Sequence, residues 1–101
     1  MTLHEFRESI ALDAPPAGIG VALAGLWWDA KGDWNRGHES AGEDEGAAAA
    51  WVHAYLHRKE GDLSNAGYWY GRAGKVPATG SLEQEWLGIA QELLNHAETQ
   101  S

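Results

Sequence analysis

Residues 51–75, WVHAYLHRKEGDLSNAGYWYGRAGK, read as a complete helical hairpin, with a start, a turn and a stop. Its first helix, Ala47 to Glu60, is Ala-rich, is led by acids and closes on Arg58 and Lys59 before Gly61. Those charges suit the two ends of a helix dipole. Asp62 caps a second helix over 63–74 through its side-chain oxygen, and Pro77 and Gly80 mark the loop beyond. Nothing in the chain alternates with a period of two, so helix-on-helix packing is the architecture left open.

The remaining segments follow the same logic. Residues 2–12 predict a short helix, because Thr2 and Glu5 have capping-box spacing and Phe6 and Ile10 share a face. Pro15 and Pro16 break it, and Pro16 suits the first turn of a second helix over 16–31. Ile19, Val21, Leu23, Leu26, Trp27 and Trp28 cover much of that helix, which predicts packing on more than one side. Gly32 stops it and Asp33 caps a helix over 34–43, with Trp34, His38 and Ala41 on one face. Residues 43–46, EDEG, form an acidic turn or a negative helix start. Ser81 with Gln84 is a capping box for a last helix, with Leu82, Trp86, Ile89, Leu93 and Ala97 along one side.

At 101 residues the chain is expected to form one domain, 1–101, with a core that needs no staple. It has no cysteine, which excludes disulfides and thiolate metal sites and fits a cytoplasmic location. No apolar run reaches the ~20 residues of a membrane span. Glu5, Arg7 and Glu8 stand where a secretory leader carries its apolar run. Fifteen acids against seven Lys and Arg argue against nucleic acid as a partner, since that binding draws on cations. Four of the seven, Arg58, Lys59, Arg72 and Lys75, lie in the hairpin and could form a small basic face.

Placing Gly32-Asp33 over Gly61-Asp62, an offset of 29 residues, brings two similar units into register. Trp34 then overlies Leu63, Gly37 overlies Ala66 and Gly42 overlies Gly71. This arrangement resembles the helical hairpins of tetratricopeptide repeats, and GDLSNAGYWYGRAGKVP resembles the second helix of their shorter Trp-Tyr-containing type. The offset is shorter than the usual 34, and two units fall below the ~3 that arrays need. The resemblance therefore implies a helical domain with two tetratricopeptide-like hairpins, not an array. The run HAYLHRKEGDLSNAGYW also looks like a signature of short bacterial proteins of unassigned role, which implies kinship and no activity.

Candidate chemistry centres on the hairpins. His53 and His57 lie one turn apart, which is half of a zinc-type site. HAYLH lacks the Glu that a zincin uses as its base, so that reading fails. His38, Glu39 or Glu60 could complete a different metal site, although Arg58 and Lys59 on the same turn oppose a cation. Histidines hydrogen-bonded at a helix seam are the simpler reading. A second candidate is a pocket of His38, His53, His57, Arg58, Asn65, Tyr68 and Arg72, able to hold a carboxylate or phosphate through its arginines. Its competitor is that Arg58 and Arg72 pair with Glu39, Glu60 or Asp62 and fix helix register. No Ser-His-Asp, Cys-His, Walker or dinucleotide arrangement is present.

Six tryptophans are several times ordinary usage. Trp27, Trp51, Trp69 and Trp86 fall on apolar faces and are expected in the core. Adjacent helical residues point about 100° apart, so Trp28, or Trp34 beside the turn, is left to line a partner groove. Gly67 and Gly71, one turn apart, predict close packing, within the chain before between chains.

The sequence thus predicts an all-α fold of about five helices: two tetratricopeptide-like hairpins and flanking N- and C-terminal helices. The function expected is a non-enzymatic protein-binding or assembly module, by a partner protein or a homodimer surface, with no cofactor. The alternative is a small enzyme or ligand-binding protein using the His/Arg pocket for an anion, or zinc.

Overall fold

The computed structural model describes the backbone of residues 1–100 and the side chains of residues 1–96. Six helices run in order: α1 Leu3–Ser9, α2 Val21–Ala30, α3 Trp34–Ala41, α4 Ala47–Lys59, α5 Leu63–Ala73 and α6 Leu82–Gln100. No strand occurs among the described residues, and none of their helices is long and apolar enough to cross a membrane. The all-α expectation holds, with six helices in place of about five.

Local chemistry sets the boundaries. The capping box at Thr2 and Glu5 is formed in both directions, and so is the one at Ser81 and Gln84. The expected helix over 16–31 begins instead at Val21. Gly20 caps it with φ of +85°, a conformation that excludes it from a right-handed helix and that glycine adopts without a steric cost. Pro16 therefore lies in the connecting loop and not in a first turn.

α2 with α3, and α4 with α5, form two hairpins whose turns match residue for residue. Gly32 and Gly61 have φ of +88° and +89°. The next amide, of Asp33 or Asp62, donates to the carbonyl of Trp28 or His57 at 3.0 and 2.9 Å. Each aspartate then accepts from the amide three residues on, of Arg36 or Asn65, at 3.1 and 3.2 Å. These bonds satisfy groups that a helix end otherwise leaves without partners.

The hairpins differ at their crossings. Gly25 faces Gly37 so closely that a Cβ on Gly37 would stand 2.7 Å from the Gly25 carbonyl oxygen. At the offset of 29, Ala54 and Ala66 hold the corresponding positions, and both are buried.

The main core joins Phe6, Leu23, Leu26, Trp27, Val52, Leu56, Trp86 and Ile89 from α1, α2, α4 and α6. Phe6 stacks on Trp86 with ring centroids 5.7 Å apart. The indole N–H groups of Trp27 and Trp86 reach the Ser9 hydroxyl and the Leu26 carbonyl, so both rings are buried without an orphaned donor. Trp51 and Trp69, expected in the core, are only partly buried: Trp51 packs against its edge, and both pack against a smaller cluster of Ala54, Ala66 and Tyr70. On α6, Trp86 and Ile89 are buried and Leu82 and Leu93 half-buried, whereas the side chain of Ala97 lies outside the described residues.

Two buried carboxylates tie the layers together in the same way. Asp29 on α2 accepts from the Tyr55 hydroxyl at 2.8 Å and from Lys59 Nζ at 2.9 Å. Glu85 on α6 accepts from the Tyr70 hydroxyl and from Arg58 Nη1, the latter at 2.9 Å. Burial, and then the neighbouring carboxylate, push both phenols far above their ordinary values, so each remains a donor.

Candidate functional site

The predicted His/Arg pocket divides in the structure. His38 on α3, His53 and His57 on α4, and Asn65 on α5 do converge where the three helices meet. The His38 and His53 rings stack at 4.7 Å, and His57 stands 5.1 Å from His38 and 5.8 Å from His53. Two indoles enclose them. Trp34 stacks on His38 at 4.9 Å, and Trp69 meets His53 edge-on at 4.2 Å. Trp34 also donates its N–H to the Leu56 carbonyl at 2.9 Å, so this half-buried indole helps to close the seam.

The histidines are packed, not presented. His53 is 7% exposed and His57 6% exposed. His57 Nδ1 bonds Glu60 Oε1 at 2.7 Å, and Asn65 Nδ2 lies 3.4 Å from His57 Nε2. His53 Nε2 is buried without a hydrogen-bond partner among the described residues. Burial lowers the pKa of His38 and His53, and each is lowered further by neighbouring imidazoles. Glu60 opposes this at His38, and the His38 backbone opposes it at His53. Both are neutral near pH 7.

The arginines lie elsewhere. Arg58 turns to the opposite side of α4, where it pairs with Glu85 and the Gly80 carbonyl. Arg72 and Tyr68 stand outside the seam: Arg72 covers Trp69 at 5.4 Å and donates to the Tyr68 hydroxyl at 3.0 Å. Neither arginine pairs with Glu39, Glu60 or Asp62. The expected basic face is dispersed too, since Lys59 bonds Asp29 and Lys75 lies over Trp51 at 4.2 Å and near Glu92.

The expected His53–His57 metal pair is not the set whose donor atoms gather. His57, Glu60 and Asp62, at the α4–α5 turn, bring one ligand atom each to within 4.8 Å of one another. The two cations that opposed a metal, Arg58 and Lys59, point away to other carboxylates.

Two surfaces stand apart from this seam. Gly67 and Gly71 do not pack within the chain, because a Cβ on either would meet nothing within 4 Å. They lie on the outer face of α5 with Leu63, 68% exposed, and Tyr68, 56% exposed. Trp28, half-buried, is edge-on to Trp27 at 4.8 Å and has the Arg36 guanidinium over it at 4.6 Å.

The second surface is a groove of about 610 Å³ among α1, α2, α4 and α6, with Ile10, Leu82, Trp86 and Leu87 as apolar walls. Arg7, Asp29, Tyr55 and Lys59 also line it. Tyr55 and Lys59 share one face of α4 at i, i+4 spacing, and Asp29 is an acid on an otherwise apolar helix. Those two signals were readable; that four separated segments meet there was not.

Comparison of the chain with family models, with curated proteins and with solved structures gives no match.

Proposed function

We propose that this protein is a non-enzymatic assembly module that binds a second helix across the outer face of α5, the first such helix being α5 of another copy. The observation that carries this reading is the pair Gly67 and Gly71. Glycine within a helix costs up to ~1 kcal/mol relative to alanine, and here no neighbour within the chain requires it. A helix laid across these two positions would recover that cost through close backbone approach. Leu63 and Tyr68 supply exposed apolar surface of the kind that marks interaction sites. The charges complement themselves: Glu60 and Asp62 at one end of the face and Arg72 at the other meet when two copies lie antiparallel, as a two-fold interface requires. The matched turns of the two hairpins, in turn, support reading them as tetratricopeptide-like units, a scaffold suited to presenting helix faces.

Sedimentation equilibrium tests this directly. The wild type is expected to show concentration-dependent dimerisation, and Gly67→Gln with Gly71→Gln to be a monomer that melts no lower than the wild type at dilutions where both are monomeric. A wild type that is monomeric throughout, or a double variant that associates equally well, overturns the reading.

A second reading has its own observation: the grouping of His57, Glu60 and Asp62 suits a divalent ion of the zinc type. Zinc is then expected to raise the melting temperature of the wild type but not of His57→Ala. Equal melts with and without zinc remove it.

A further inference from the structure

The groove among α1, α2, α4 and α6 goes beyond the α5 reading and stands apart from it. Its key is Arg7. Seven Lys and Arg face fifteen acids in this chain, and six of the seven are engaged. Lys31 bonds the Ile10 and Leu12 carbonyls. Arg36, Arg58, Lys59 and Lys75 pair with Asp33, Glu85, Asp29 and Glu92. Arg72 donates to Tyr68. The Arg7 side chain alone has neither hydrogen bond nor ion pair among the described residues, and it lines the groove.

Its position is fixed by its neighbours. Phe6, fully buried and stacked on Trp86, anchors α1 one residue away. Lys31 holds the exit of α1 by its two carbonyl bonds. Across the groove the Lys59 ammonium keeps a partly exposed side chain, 40% accessible, while its partner Asp29 is buried at 2%. Asp29 has one oxygen on Lys59 and the other on Tyr55, so it is already matched. Arg7 therefore adds a positive charge that no carboxylate among the described residues pairs with directly. A guanidinium offers paired donors that fit a carboxylate. The walls of Ile10, Leu82, Trp86 and Leu87 fit an apolar body, and about 610 Å³ lies within the range of small-ligand sites. Glu83, which also lines the groove and has no hydrogen-bond or ion-pair partner among the described residues, disfavours a second negative charge.

We infer that this groove binds a monocarboxylate carrying an aromatic or branched apolar body, with Arg7 receiving the carboxylate and Trp86 one wall of the apolar site. The same chemistry occurs in a free acid and in a polypeptide ending on an apolar residue, and the probes separate the two.

Amide NMR titration of the full chain provides the test. 4-Phenylbutyrate is expected to give saturable shifts at Ile10, Leu82 and Trp86, and its neutral amide to bind about tenfold more weakly or less, the scale of a charged hydrogen bond. Arg7→Gln, at an exposed position without a partner, is expected to melt like the wild type and lose the acid by a similar factor. Phenylsuccinate, with a second carboxylate, is expected to bind more weakly than phenylbutyrate. Tighter binding of Gly-Gly-Phe with a free terminus than of phenylbutyrate assigns the site to chain ends, and the reverse assigns it to free acids. Equal binding of acid and amide, an unchanged Arg7→Gln, or shifts that do not saturate would overturn the proposal.

Discussion

The hairpins α2–α3 and α4–α5 share a turn and differ in almost everything laid upon it. Gly32-Asp33 and Gly61-Asp62 use the same left-handed glycine, the same backbone bond and the same aspartate cap. At the crossing, however, one hairpin has Gly25 against Gly37 and the other Ala54 and Ala66. One turn of chemistry apart, the first carries Ala24 and Trp28 where the second carries His53 and His57. The backbone turn is thus indifferent to what its helices hold. Helix separation is set by the smallest residues, and the polar character of a seam by two or three positions.

The largest break in that comparison is at the crossings. Gly37→Ala is expected to destabilise by about 3 kcal/mol, because its Cβ meets backbone and not a flexible side chain. Ala66→Gly in the second hairpin is expected to cost only ~2 kcal/mol, from a lost buried methyl and lower helix propensity. Chemical denaturation of both variants measures the difference. Equal losses would mean that the crossings are equivalent after all.

Next in size is the tie between hairpins. Tyr55→Phe leaves one oxygen of a buried carboxylate without its donor, a loss expected at ~1–3 kcal/mol. Tyr70→Phe does the same to Glu85. Loss of stability well outside that range for either variant would show that the two carboxylates are held differently.

Acid sharpens the contrast in the seams. His38 and His53 have lowered pKa values in the folded chain, so the unfolded chain binds more protons below its ordinary histidine value. Their stabilising effect is full above about pH 6.5 and is lost as pH falls from there toward the folded values. Hydrogen exchange at falling pH should therefore expose the α3–α4–α5 seam before the α1–α2–α6 core. His53→Phe should flatten this dependence. Uniform loss of protection would place the acid-sensitive groups elsewhere.

The smallest effect is on the open face of α5. At dilutions where the chain is monomeric, Gly67→Ala and Gly71→Ala are each expected to raise stability by up to ~1 kcal/mol, since neither methyl meets anything within the chain. A lower melting temperature would reveal a contact that the fold does not contain.

Much of the fold was legible where it is local. The capping boxes at Thr2 and Ser81, the two aspartate caps and the pairing of the turns follow from residues within four positions of one another. The start of α2 was not, because Pro16 fits a first turn while the left-handed Gly20 overrides it. The candidate site was half legible. Helical spacing places His53 with His57, and shared polarity suggests His38, but a step of about 100° carries Arg58 away from His57 to Glu85. The groove escaped the sequence because Arg7, Asp29, Lys59 and Trp86 come from four helices and share no local pattern.

Dilution of isotope-labelled protein, followed by amide NMR, tests most directly whether the outer face of α5 is an assembly surface. The account predicts concentration-dependent shifts confined to Glu60, Asp62, Leu63, Gly67, Tyr68, Gly71, Arg72 and their immediate neighbours, and absent in the Gly67→Gln/Gly71→Gln variant. Shifts that are missing at every concentration, or that map to another face, would contradict it.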